Sequence, residues 1–296
     1  MPHSHHHHDG HSHSDGTENI TTAFWLNLGF TFIEVFGGFF TNSVAILSDA
    51  LHDLGDSLSL GLAWYFQKKS NQGRDKTFTY GYKRFSLVGA LINSIVLIVG
   101  SVYMLTQAIP RFMNPEETNA KGMFWLAILG IIVNGAAVFK LKKGSSLNEK
   151  AVMLHLMEDV LGWVAVLIGS ILIYFFNWAI IDPLLSIGIT AYILFNVYGN
   201  LKGVFRVILQ GSPKSLNLED IKPKLRKIES VLEIHDLHVW SMDGEYNVMT
   251  VHAVAEKTAD CTVIKKAIRH SLRQMNVNHV TIEIDMEGEE CSFKEC

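Results

Sequence analysis

The string SDALHDLGDS carries four ionisable side chains at helical spacing: Asp49, His52, Asp53 and Asp56 stand at offsets 0, 3, 4 and 7. On a helix of 3.6 residues per turn they share an arc of about 100°. Further along, HLMED repeats the device with His155, Glu158 and Asp159 on one face. His52/Asp56 and His155/Asp159 are both i, i+4 pairs. Set face to face, they offer two imidazole nitrogens and two carboxylate oxygens, a donor set that suits tetrahedral zinc. Calcium or magnesium asks for more oxygens and little nitrogen. Copper(I) asks for sulfur, which neither string contains. Cadmium, cobalt and nickel accept the same donors, whereas manganese and iron suit two histidines less well.

The elements that must hold these groups are apolar. Of the 296 residues 48% are hydrophobic, and they cluster in blocks of about 20, long enough to cross a hydrocarbon core. Six such segments fall near 21–41, 43–66, 85–109, 122–139, 151–176 and 180–201. The third and fourth contain no charged residue, the first only Glu34, and the sixth starts at Asp182-Pro183, a helix-start signal. The second and fifth contain the two strings. An ionisable side chain at membrane depth costs several kcal/mol, and these six cores supply no lysine or arginine to offset it. A bound cation or a wet cavity is therefore expected. For Asp49 and Asp53 the alternative is headgroup water at a helix end. Glu34 is either part of the path or a protonated acid in a helix contact. Asn93, Asn134 and Asn196 read as interhelical hydrogen-bonding groups.

Charge in the connections sets the topology. Lys68, Lys69, Arg74, Lys76, Lys83 and Arg84 lie between segments two and three, and Lys140, Lys142, Lys143 and Lys150 between four and five. Lys202, Arg206 and Lys214 follow segment six, while the alternate connections hold only Arg111 and Lys121. The positive-inside rule makes the basic side cytoplasmic, and six crossings then put both termini there. A multi-pass protein of the cell inner membrane is expected.

Residues 1–20 are histidine-rich, with seven of the fourteen histidines in the first thirteen residues. Such a stretch is expected to stay without structure and to hold zinc weakly. Its interrupted spacing reads as native rather than as a purification tag. Residues 21–205 form the membrane domain. From 212 to 290 the composition is that of a soluble domain. Helices are expected at 218–229 and 262–275, and strands at 231–241, 245–256 and 279–285, the first two joined by a turn at Asp243-Gly244. The order α-β-β-α-β implies a small α+β domain with its helices on one face of a sheet. A short tail, 291–296, carries Cys291 and Cys296.

Other classes fit less well. A formal charge of −4 argues against a nucleic-acid partner, and three cysteines are too few for a disulfide scaffold. No cleavable signal peptide is expected from the start of the chain. An intramembrane metalloprotease needs a helical HExxH, which does not occur, so the chain is not expected to be an enzyme. A membrane metal sensor remains open, although it has no need of a metal site at membrane depth.

Taken in order, the histidine-rich start, six spans, paired HxxxD strings in spans two and five, and HDLHVWS in the soluble domain resemble the cation diffusion facilitator family, in particular its zinc-transporting bacterial members. The likeness covers almost the whole chain. It implies a zinc/proton antiporter, a transport site at His52, Asp56, His155 and Asp159, and a homodimer. It also implies a metallochaperone-like cytoplasmic domain in which zinc is a regulatory ligand as well as the substrate. Cytoplasmic metal positions map onto His235 in IHDLH, His252 in TVHA and Asp285 in IEID. Glu283 or the nearby His279 stands where some members have a further histidine. Cys291 and Cys296 lie where relatives carry a CxxC, here with wider spacing. TFTYGYKR replaces the histidines with which some relatives hold an extra metal, so that site is not expected. Asp49, Asp53 and Glu158 are candidate accessory groups, and His238 and His270 read as sheet and helix-surface residues.

Overall fold

The structure, a computed structural model, describes residues 12–141 and 147–289. Cys291, Cys296 and the first eleven residues of the histidine-rich start lie outside them. Six long helices come first: α1 (Ser12–Thr41), α2 (Val44–Ser70), α3 (Phe85–Met113), α4 (Ala120–Leu141), α5 (Leu147–Phe176) and α6 (Ile181–Ile208). The smaller elements α7 (Leu218–Arg226), β1 (Val231–Ser241), β2 (Asn247–Ala255), α8 (Cys261–Gln274) and β3 (Val277–Met286) follow. One expectation is corrected. Helix α1 begins at Ser12, so residues 12–20 are helical rather than structureless. Once an apolar helix is nucleated, each added residue brings one more backbone hydrogen bond, and the helix runs past its hydrophobic segment.

Among the described residues five helices are long and apolar enough to cross a membrane: Phe24–Thr41, Phe85–Met113, Ala120–Lys140, Met153–Phe176 and Ile181–Ile208. Helix α2 is the sixth of the expected spans. Its length suffices, but Asp49, Asp53 and Asp56 lower its hydropathy. The distribution of polarity explains how it belongs with the others. Large apolar side chains such as Phe40 (84% exposed) face outwards, while Glu34 (0%) and Asp53 (1%) face inwards. This is the pattern of a chain solvated by lipid, in which ionisable groups turn to the bundle interior.

By contact density the chain divides into two compact units, residues 1–62 with 92–198, and residues 63–91 with 199–296. In the first, α4 packs along α5 and α1 packs on both. Phe30, Ile46, Met123, Ala127, Trp163 and Val166 form its core. A Cβ built on Gly130 of α4 would stand 2.3 Å from the Trp163 ring. Only glycine lets the indole seat there, edge-on to Phe30 with ring centroids 5.5 Å apart. That seat fixes the rotation of α5. Helix α2 is tied to α6 at its first turn. Asp182 accepts hydrogen bonds from the Ser43 hydroxyl, from Val44 N (2.9 Å) and from Ala45 N (3.3 Å). The residue expected to open α6 thus also satisfies orphan amides at the start of α2. Ser48 and Ser186 repeat the tie one turn on, with oxygens 2.6 Å apart.

In the second unit β2 is central, antiparallel to β1 and parallel to β3. Ile264, Ile268 and Leu272 stand four apart on α8 and bury one stripe in a core shared with Ile221 and Leu225 of α7. Asp260 caps α8 through the amides of Thr262 and Val263. The segment between α2 and α3 belongs to this unit. Asp75 accepts from the amides of Thr77 and Phe78 and from the Tyr82 hydroxyl. These bonds hold its carboxyl below the ordinary value, with the Tyr82 hydroxyl the largest cause. Lys83 reaches Asp243 in the β1–β2 turn at 3.8 Å and stands over the Tyr246 ring.

Candidate metal centres

In the first unit, α2 presents His52 and Asp56 to His155 and Asp159 of α5. The seat of Trp163 and the tie to Asp182 explain why these helices meet on these faces. His52, His155 and Asp159 each offer a donor atom, and the three atoms lie within 4.8 Å of one another. Asp56 joins them: its Oδ2 is 2.9 Å from His155 Nε2 and 3.7 Å from His52 Nε2. His155 Nε2 is 3.9 Å from Asp159 Oδ2, and the two imidazole rings stand edge-on with centroids 5.8 Å apart. All four residues singled out by their spacing are therefore brought together. His52, His155 and Asp159 form the mutually close donor group, and Asp56 stands beside it against the two imidazoles.

Around this cluster lies unoffset acidity. Glu34, Asp49, Asp53 and Asp159 are buried, and among the described residues none forms a salt bridge to lysine or arginine. One oxygen each of Asp49 and Asp159 is buried without a hydrogen-bond partner, and among the described residues the carboxyls of Glu34 and Asp53 have only each other and the Trp163 indole close by. Burial of an unpaired carboxylate is costly, so such groups hold protons or face a cation. For Asp49 and Asp53 this disfavours headgroup solvation, and Glu34 lies on the interior face with them. A cavity of about 470 Å³ adjoins the cluster, lined in part by Asp49, His52, Glu158, Asp159 and Tyr192. Glu158 stands outside the donor group and accepts a hydrogen bond from Tyr192 at 2.8 Å. Nothing in the spacing of α5 signals Tyr192, because its partner arrives from α6.

The second cluster lies on the sheet. His235, His252 and Asp285 offer donor atoms within 4.8 Å of one another. Register explains the meeting, since His235 of β1 pairs with His252 of β2, which pairs with Glu283 of β3. His252 Nε2 lies 3.3 Å from Glu283 and 3.4 Å from Asp236. Asp236 also holds His238 at 2.7 Å. The sequence reading missed Asp236. It sits where the β1–β2 register shifts, with φ at +43°, a bulge that re-aims its carboxylate towards the histidines. His279 stands apart, edge-on to Tyr80, and His270 bonds Gln274 on the surface of α8. The donor chemistry fits a divalent metal with nitrogen and oxygen ligands.

Comparison with known proteins matches two family descriptions: residues 20–209 correspond to a cation efflux transmembrane domain, and residues 213–287 to the cytoplasmic domain of cation efflux proteins. The chain is 35% identical over 292 residues to a cadmium, cobalt and zinc/H(+)-K(+) antiporter of Bacillus subtilis, covering 94% of this chain and 93% of that one. It is 32% identical over 302 residues to the zinc transporter ZitB of Escherichia coli, covering 100% and 96%. It is 32% identical over 281 residues to the metal cation efflux system protein CzcD of Cupriavidus metallidurans, covering 93% and 89%.

Proposed function

The chain belongs to the cation efflux family, also called cation diffusion facilitators, and is a divalent metal cation efflux transporter; from that premise we propose that it exports zinc from the cytoplasm in exchange for protons, through His52, Asp56, His155 and Asp159. The observation that carries this reading is the meeting of two HxxxD pairs from α2 and α5. Two nitrogens and two carboxylates suit tetrahedral zinc better than octahedral oxygen-seeking cations.

Coupling to protons follows from the same side chains. Zinc binds neutral imidazole and ionised carboxylate, so metal and protons compete for one set of atoms. Zinc arriving from the cytoplasm displaces protons, and protons arriving from an acidic exterior displace zinc. Exchange then needs only that the site open alternately to the two sides, by rocking of helices around it. Asp49 and Asp53 serve as accessory acids beside the path. The names of relatives support this, since one is called a zinc transporter and another a zinc/H(+)-K(+) antiporter. The second of these names also includes cadmium and cobalt. The donor set accepts both, which makes them the alternative substrates to test against zinc.

The cytoplasmic domain is proposed to join two copies into a homodimer and to hold zinc as a regulatory ligand at His235, His252 and Asp285. Cys291 and Cys296 are further candidate ligands. The basic connections after α2 and α4 support a multi-pass inner-membrane protein with both termini in the cytoplasm. Everted membrane vesicles, whose interior acidifies on respiration, test direction and coupling together. We expect zinc to accumulate inside and the accumulation to collapse with a protonophore. Accumulation indifferent to the protonophore would reject proton exchange.

A further inference from the structure

Selectivity is the property of the α2–α5 cluster that the four residues alone leave open. Glu158 is one residue before Asp159 and three after His155, and it lines the same cavity as His52 and Asp159. Its i, i+3 spacing puts it on the face of α5 that carries His155, and a rotamer change that brought its carboxylate into the cluster would add a donor. The site would then have five donors, three of them carboxylates. Four donors with two nitrogens favour zinc, whereas added carboxylate oxygen favours manganese(II) and other cations that take six oxygens. In the structure Glu158 is committed elsewhere. Its Oε2 accepts from the Tyr192 hydroxyl at 2.8 Å. The Tyr192 ring is itself held edge-on to His52, with centroids 6.4 Å apart. One aromatic side chain of α6 thus touches a member of the cluster with its ring and holds the spare carboxylate with its hydroxyl.

We propose that Tyr192 is a specificity-determining positioning residue, which keeps the Glu158 carboxylate on the cavity wall and so keeps the His52–Asp56–His155–Asp159 site at four ligands. The inference rests on the transport-site reading above. Glu158 is then a reserve ligand rather than a working one, and the hydrogen bond from α6 is what excludes oxygen-preferring cations.

The test is competitive titration of the full-length protein in detergent, with zinc(II) and manganese(II) read against a chromophoric chelator. A background carrying His252→Ala, Cys291→Ser, Cys296→Ser and alanine at the seven histidines of residues 1–13 removes the sheet cluster, the tail and the histidine-rich start from the measurement. Tyr192→Phe deletes only the hydroxyl, and we expect it to raise manganese affinity relative to zinc on the order of tenfold, the scale on which groups outside the ligand set act. Adding Glu158→Gln should return the ratio to that of the background protein, which loss of packing at Tyr192 would not do. Tyr192→Leu removes the same hydroxyl and must move the ratio in the same direction. An unmoved ratio in both hydroxyl-deleting variants overturns the proposal. So does a ratio that stays raised after Glu158→Gln. If the background protein binds no zinc at all, the transport-site reading fails and takes this proposal with it; zinc bound with an unmoved ratio defeats the proposal alone.

Discussion

Among the described residues two clusters of histidine and carboxylate occur, and they differ in what surrounds them. On the sheet, His252 has Glu283 and Asp236 at 3.3 and 3.4 Å, and Asp236 also serves His238. Most acids and imidazoles there offset one another, with Glu283 reaching water and one Asp285 oxygen left buried without a hydrogen-bond partner. Between α2 and α5 the acids outnumber the histidines, and Glu34, Asp49 and Asp53 add buried carboxyls that no lysine or arginine among the described residues offsets. A cluster whose charges are mostly paired can stand filled or empty, which suits regulation. A cluster with excess buried acid must always hold a cation, either metal or proton, which suits exchange. In the proposed function the same ligand types serve opposite ends because one cluster is mostly paired locally and the other is not.

The largest effect expected from that contrast is in transport. His155→Ala removes a nitrogen and leaves Asp56 and Asp159 facing each other. Zinc flux in vesicles should fall on the order of 100-fold, at or beyond the upper end of what even groups outside the ligand set cost. Flux within a few-fold of wild type would break the contrast. Gly130→Val sharpens it through packing alone. The new side chain must displace Trp163, at a cost of about 1–3 kcal/mol for overpacking. It should lower thermal stability and transport while leaving zinc binding at the sheet cluster intact. Loss of zinc binding at the sheet cluster together with transport would mean that the two clusters do not stand independently.

His252→Ala addresses the other side. It removes the residue that joins all three strands at the sheet cluster. We expect basal flux to persist and the zinc concentration for half-maximal rate to shift on the order of tenfold. An unchanged zinc dependence would deny the sheet cluster a regulatory role.

The smallest effect concerns the segment between α2 and α3. The Asp75 carboxyl sits below its ordinary value of 3.8, held there by Tyr82 and two amides. A depressed acid contributes order that is complete above its unfolded value and is lost as pH falls through its native one. Hydrogen exchange at Thr77 and Phe78 should therefore be faster in Asp75→Asn than in wild type above pH about 4, and the difference should vanish in stronger acid. A difference that persists in acid would assign the order to other contacts.

Much of the first cluster was legible because it rests on local spacing. His52/Asp56 and His155/Asp159 are i, i+4 pairs, and a helix places such pairs on one face whatever surrounds it. The small domain was legible for a similar reason, through alternation in VLEIHDLHVWS and turn residues at Asp243-Gly244. What escaped depends on partners distant in the chain. Tyr192 matters only because α6 lies beside α5, and Asp182 only because α2 begins next to it. Asp236 escaped because a bulge with positive φ, not the strand's alternation, turns its side chain. The reach of α1 back to Ser12 exceeded its apolar stretch because helix growth is cooperative.

The most direct test is simultaneous recording of zinc and pH inside proteoliposomes, with zinc added outside and a pH gradient imposed, for wild type and Asp159→Ala. We expect inward zinc and outward protons to appear together in wild type and both to vanish in the variant while its fold persists. Zinc that binds but does not move under either gradient, or flux that survives Asp159→Ala, would contradict exchange at the α2–α5 site.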